Sequence, residues 1–228
     1  MNTTPLHRAA LQGHTGPVEL LITNGALIEA MNEDGNTPLH LATWKSHTDV
    51  VELLLSKGAS VRATNNRFNT PLHLASWNGH IGLVELLLRE GAPVDAINGY
   101  DYTPLYLAAL KGHTGTVELL LKKGALIVAF RLHHDSPLHL ASRNGHASTV
   151  KLLLEQGAPI NARNLYKNTP LHLAAQGGHS GVVELLLAKG ASPWALNEKK
   201  RTPWHLAAQG GYTGVVQRLI GARWSLTL

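Results

Sequence analysis

The chain of 228 residues has no cysteine, which excludes disulfides, thiolate metal sites and cysteine nucleophiles and suits an intracellular setting. Large side chains are scarce as well. Two Phe, five Tyr and five Trp would under-fill a single central core, so small and medium aliphatic residues must supply most of the burial. No 18-residue apolar run occurs, and Met1 is followed by no basic-then-apolar leader. Neither a membrane helix nor a secretory signal is expected, and a soluble, non-secreted cytoplasmic or nuclear protein is. No block of one charge stands out either. Twenty Lys and Arg against fifteen Asp and Glu give +5, spread along the chain, so nucleic acid is not the expected partner.

Catalytic patterns are missing too. There is no phosphate-cradling glycine loop and no Ser, His and acid set, and Glu52, Glu85, Glu118 and Glu184 recur at one place in the pattern as solvated surface rather than as paired carboxylates. The reading is of a non-enzyme without cofactor.

What is present is a repeat. The tetrapeptide Thr-Pro-Leu-His and its variants begin at residues 4, 37, 70, 103, 136, 169 and 202, each step 33 residues long. Within one copy, Thr70 suits a helix N-cap and Pro71 the first helical position, where a missing N–H costs nothing. Leu72, Leu74 and Ala75 then give a narrow apolar face, and Gly79 can end the helix in a left-handed conformation. The run Leu83, Val84, Leu86, Leu87 and Leu88 makes a second helix, closed by Gly91, and about ten polar or turn-forming residues lead to the next Thr-Pro. Helices below about 12 residues are marginal alone, so the copies must stack.

This period and tetrapeptide resemble the ankyrin repeat. The resemblance covers essentially the whole chain. It implies an all-α, ankyrin-repeat solenoid of stacked helix-turn-helix units with β-hairpin loops, seven 33-residue repeats including caps. The expected organisation is a single domain, 1–228, with an N-terminal capping repeat at 1–31, internal repeats at 32–64, 65–97, 98–130, 131–163 and 164–196, and a C-terminal capping repeat at 197–228. Arg8 stands where later repeats carry Leu41 through Leu206, and Arg218 where the sixth carries Leu185. Both ends therefore read as polar, and a monomer is expected.

Fourteen histidines suggest a metal or acid–base site until they are indexed on the repeat. His7, His40, His73, His139, His172 and His205 belong to the tetrapeptide, with Tyr106 in the seventh place. His14, His47, His80, His113, His146 and His179 follow the inter-helix glycine position, with Tyr212 the exception. The tetrapeptide His can bond back to its Thr, and in ankyrin proteins it ties adjacent repeats. Only His133 and His134 fall outside the pattern, and two adjacent histidines lack the converging ligands a metal needs.

Function should lie where the copies differ. The differing positions precede each Thr in the hairpins and lie seven and eight residues beyond it on the first helix, groups that line the concave binding face in ankyrin proteins. The partner-binding candidates are Trp44, Lys45, Arg67, Phe68, Trp77, Asn78, Tyr100, Tyr102, Leu110, Lys111, His133, Arg143 and Tyr166. Trp, Tyr and Arg are what protein interfaces favour, so a non-catalytic scaffold for a protein partner is expected. Trp194, Trp204 and Trp224 read as packing residues. The hairpin glycine survives only as Gly35; Phe68, Asp101, His134, Lys167 and Lys200 replace it, which predicts strained or differently turned tips. The missing cysteines, unbroken spacing and paired caps resemble an engineered or selected binder of the designed ankyrin type. Departures such as Pro17, Ser46, Tyr106 and Ser136 fit instead the ankyrin domain of a natural intracellular adaptor or effector.

Overall fold

Each copy of the tetrapeptide starts a helix for the reason its residues suggest. In the computed structural model, which describes residues 3–128 and 135–225, with the side chains of 223–225 left aside, Thr37 is extended (φ −82°) and its hydroxyl accepts from the His40 N–H at 3.5 Å. His40 returns the bond, Nδ1 accepting from the Thr37 N–H at 3.2 Å. The same reciprocal cap, with His in the place Glu usually takes, opens the first helices at Thr4, Thr70, Ser136, Thr169 and Thr202.

Fourteen helices are present among the described residues, with no strand. In chain order the helices are α1 (Pro5–Gln12), α2 (Thr15–Thr23), α3 (Pro38–Trp44), α4 (Thr48–Ser56), α5 (Pro71–Asn78), α6 (Ile81–Arg89), α7 (Pro104–Lys111), α8 (Thr114–Lys122), α9 (Pro137–Arg143), α10 (Ala147–Glu155), α11 (Pro170–Gln176), α12 (Ser180–Ala188), α13 (Pro203–Gln209) and α14 (Thr213–Ser225). The odd-numbered helices are the first of each repeat and the even-numbered the second. No helix is long and apolar enough to cross a membrane among the described residues.

The chain forms two compact units. The first comprises Met1–Ala108 with Leu119–Ala125, the second Ala109–Glu118 with Leu126–Leu228. In the first unit α1, α3 and α5 pack as one row and α2, α4 and α6 as another. In the second unit α9, α11 and α13 form one row and α10, α12 and α14 the other. Between the rows lie Leu39, Leu54, Leu72, Leu83 and Leu87 in the first unit and Leu138, Leu153, Leu171 and Leu173 in the second, all fully buried. Fully burying a Leu is worth about 2 kcal/mol, and it requires the neighbouring repeat.

Histidines join the repeats along each row. Because a backbone N–H donates to Nδ1, the ring proton sits on Nε2, which donates to a carbonyl 29 residues on: His7 to Asn36 O and His40 to Asn69 O (both 2.9 Å), His73 to Tyr102 O, His139 to Asn168 O and His172 to Arg201 O (each 3.0 Å). The other set reaches backwards. His47 Nε2 bonds Leu11 O at 3.0 Å, His146 bonds Leu110 O at 3.1 Å and His179 bonds Arg143 O at 2.7 Å. The glycine below each ring is needed twice over: Gly13 has φ +74°, and a Cβ there would stand 2.5 Å from the His47 ring.

Candidate binding site

The hairpin loops set the edge of the site. Each of the five loops that lie wholly within the described residues is a tight turn closed by paired main-chain bonds, Asn32 N–H to Asn36 O (3.0 Å) and Gly35 N–H to Asn32 O (2.9 Å) in the first. Gly35 adopts φ 73°, and Phe68 (57°), Asp101 (61°), Lys167 (55°) and Lys200 (53°) adopt the same left-handed conformation without being glycine. Of the two outcomes expected for these tips, the structure takes strain rather than a different turn, at a cost of about 1–2 kcal/mol each.

An asparagine ladder fixes the loops to one another. Asn65 Oδ1 accepts from the Arg67 and Asn69 N–H groups (both 3.0 Å), and its Nδ2 donates to Asn36 Oδ1 at 2.8 Å. Asn98 repeats this with Tyr100, Tyr102 and Asn69, Asn164 with Tyr166, Asn168 and Asp135, and Asn197 with Arg201 and Asn168. These asparagines were not among the candidates read from sequence, although their recurrence five residues before the tetrapeptide at 32, 65, 98, 164 and 197 is a readable signal.

In the first unit the candidates converge. Trp44, Arg67, Trp77, Tyr100 and Tyr102 line a cleft of about 370 Å3 with Leu74, Leu107 and the Asn69 and Asn98 amides. A second cleft of about 390 Å3 adjoins it, sharing Trp44, Arg67, Leu74 and Asn69 and adding Asp34, Asn36 and Lys45. Trp44 is 41% exposed and Tyr100 58%, whereas Trp77 and Tyr102 are half-buried. Tyr102 is stacked between Tyr106 (centroids 4.2 Å, 11°) and Tyr100 (5.9 Å, 29°), so an aromatic shelf is already in place. Phe68 is 61% exposed at its tip. Asn78 is spent on the framework, its amide donating to the Trp44 carbonyl at 2.9 Å.

The remaining candidates are not part of this cluster. Leu110 is half-buried and Lys111 exposed on α7, and the Leu110 carbonyl is held by His146. Arg143 pairs with Asp135 at 2.8 Å within its own repeat. Tyr166 borders a separate cleft of about 270 Å3 in the second unit, with Asn168, Gln176, Lys199, Arg201 and Gln209. His133, with Phe130 and His134, lies outside the described residues.

Trp194 and Trp204 are more exposed than packing residues are expected to be. Trp204 takes the place of leucines that are at most 1% exposed in the other repeats, and it is 38% exposed, its indole edge-on to His205. Trp194 is also exposed, and the Trp224 side chain lies outside the described residues. The indole is wider than the leucine it replaces, and only part of it is covered. Arg218, exposed at this end, turns its guanidinium to Glu184 Oε2 (3.5 Å) and to Gly214 O (3.3 Å).

Burial favours the neutral form of four framework histidines. Burial pushes His40 and His73 down to about 4, against weaker opposing main-chain bonds, and burial likewise lowers His139 and His172. A neutral Nε2–H donor pointing at a carbonyl is a joint, not an acid–base group.

Stacked helix pairs with a groove of aromatic, amide and cationic side chains define a helical-repeat binding module. Residues 1–65, 62–131 and 138–226 match the family of ankyrin repeats (3 copies), and the chain belongs to the ankyrin repeat family, with its all-α repeat fold. A crystal structure of the human ASB11 ankyrin repeat domain matches at TM-score 0.86 and 29% identity, over 96% of this chain and 97% of that one. No curated protein sequence gives a match. Ankyrin repeats are in general protein-interaction modules.

Proposed function

We propose that the chain is a non-catalytic scaffold that holds a protein partner against the face made by its hairpin tips and first helices, centred on Trp44, Arg67, Trp77, Tyr100 and Tyr102. The observation that carries this reading is the exposure of Trp44 and Tyr100 beside an open cleft, where packing in a stable fold would have covered them. Rigid aromatic side chains lose little freedom on binding and act as anchors. Both a selected binder and a natural adaptor domain are scaffolds of this kind. The left-handed Phe68, Asp101, Lys167 and Lys200 support the natural domain, since a design for stability places glycine there. The test is capture from lysate and from purified panels by the parent and by a Trp44→Ala, Trp77→Ala, Tyr100→Ala variant of unchanged helical melt. Loss of the captured protein is expected, each anchor costing about 2 kcal/mol or more. Capture that survives in the variant overturns the assignment of this face.

A further inference from the structure

The hydrogen-bonding character of the groove in the first unit leans to donors around Asn69 and Arg67, and the asparagine ladder makes it so. Asn65 Oδ1 and Asn98 Oδ1 are each taken by two main-chain N–H groups. Their Nδ2 atoms must therefore be the ones that face Asn36 and Asn69, and an NH2 group can only donate. It follows that Asn36 and Asn69 meet the ladder with Oδ1, at 2.8 and 2.7 Å. Their own Nδ2 donors are left over, in residues that line the clefts, with no acceptor among the described residues. Arg67 and Lys45 are exposed on the same clefts with no carboxylate in ion-pair reach among the described residues. Asp34, at one end, is the single acidic side chain of the lining. Apart from Asp34, the Asn66 Oδ1 at the same end (its Nδ2 donates to Glu33 O) and the two-way tyrosine hydroxyls, the side-chain oxygens that could accept are taken by the framework, and around Asn69 and Arg67 donors and a cation are what remain.

The apolar part is offset by one repeat. Trp77, Tyr100, Tyr102 and Leu107 line only the 370 Å3 cleft, while Asp34, Asn36 and Lys45 line only the 390 Å3 cleft. Adjacent helix layers are about 8–10 Å apart, and an extended chain advances about 3.3 Å per residue, so neighbouring clefts match residues about three apart in a peptide.

We propose that this groove takes an extended peptide segment that sets an Asp or Glu side chain against Asn36, Asn69 and Arg67, and an aromatic or large aliphatic side chain, about three residues away, against Trp77, Tyr100 and Tyr102. Peptide carbonyls take the remaining donors. The proposal rests on the reading of this face as the partner surface. A basic segment is rejected there, because it leaves amide and guanidinium donors unpaired and meets like charge.

The test uses the full chain, immobilised, and a display library of random decapeptides. One enriched peptide is then synthesised with Glu, Gln or Lys at the acidic position and measured by fluorescence anisotropy. Enriched peptides carrying Asp or Glu about three residues from Phe, Trp or Leu are expected, with the Gln form about tenfold weaker and the Lys form weaker still. Arg67→Gln should erase most of the Glu-over-Gln preference, Asn69→Asp should weaken the Glu peptide, and Arg67→Glu should turn the preference toward Lys. Arg67 and its neighbours are surface residues, so an unchanged thermal melt verifies folding in each variant. Failure to enrich any peptide, enrichment without an acidic residue, or a Glu-to-Gln ratio unchanged in Arg67→Gln overturns the proposal. Acid-free peptides that lose binding on Trp44→Ala with Trp77→Ala remove this inference and leave the binding face standing. Peptides that bind regardless of both changes remove the face as well.

Discussion

Individual residues in this chain carry strain and protonation states that can be measured directly. His40 and His73 have a lower pKa folded, about 4, than the ordinary 6.5 of the unfolded chain, so between those values the unfolded state binds more protons. Stability is therefore complete above about pH 6.5 and falls as the pH drops toward 4, by on the order of 3 kcal/mol for each of the two. Thermal melts at pH 7 and pH 4.5 should show this, and a His40→Gln, His73→Gln variant, less stable at pH 7, should lose much less on acidification; equal losses would place the acid sensitivity elsewhere. At the hairpin tips, Lys167→Gly and Lys200→Gly should raise the stability by about 1 kcal/mol each by chemical denaturation, since glycine adopts φ near 55° freely. Phe68→Gly should stabilise by a similar amount while weakening partner capture. The capping role of the six tetrapeptide histidines was legible from their spacing to the Thr, and their tie between repeats from the family resemblance. The direction of each imidazole bond was not, because the carbonyl it meets lies 29 residues further on or 36 back.

At the level of helices, four buried hydroxyls have no hydrogen-bond partner among the described residues: Thr43, Ser76, Thr116 and Ser142. Three of them occupy one repeat position, which is Ala in other copies, as at Ala109 and Ala175. Ser76→Ala and Ser142→Ala remove a desolvated hydroxyl without opening a cavity of consequence, and each should stabilise by about 1 kcal/mol. A loss of stability in urea titrations would mean that an acceptor is found in solution. The helices themselves were readable from Thr-Pro starts, glycine ends and leucine spacing because these are local signals. The ladder between loops was read past. Asn65 and Asn98 look like ordinary turn formers, and only their pairing with Asn36 and Asn69 in the preceding loop gives them a second role.

Across the whole molecule, the extensive helix contacts within each unit join a helix only to its own or an adjacent repeat. Damage should therefore stay regional. Leu171→Ala, at a fully buried site in α11, should cost about 2–5 kcal/mol locally and speed amide exchange in α9 to α13, with α1 to α5 unchanged; uniform acceleration would contradict this. Much of the candidate site was legible in outline, since Trp44, Arg67, Trp77, Tyr100 and Tyr102 do come together. The pairing of Arg143 with Asp135 was not legible, because Asp135, eight residues before it, sits in a loop whose distance from α9 no pattern discloses. That Asp135 occupies the ladder position of Asn36, Asn69 and Asn168 and still receives the Asn164 amide. With Asn, a rung shows the outside a donor; with Asp, it shows an acceptor, here silenced by Arg143. At Asn36, Asn69, Asp135 and Asn168 the ladder thus behaves as a two-letter alphabet, which evolution or an engineer can rewrite by exchanging a single amide for a carboxylate, without disturbing the spelling of the fold beneath it.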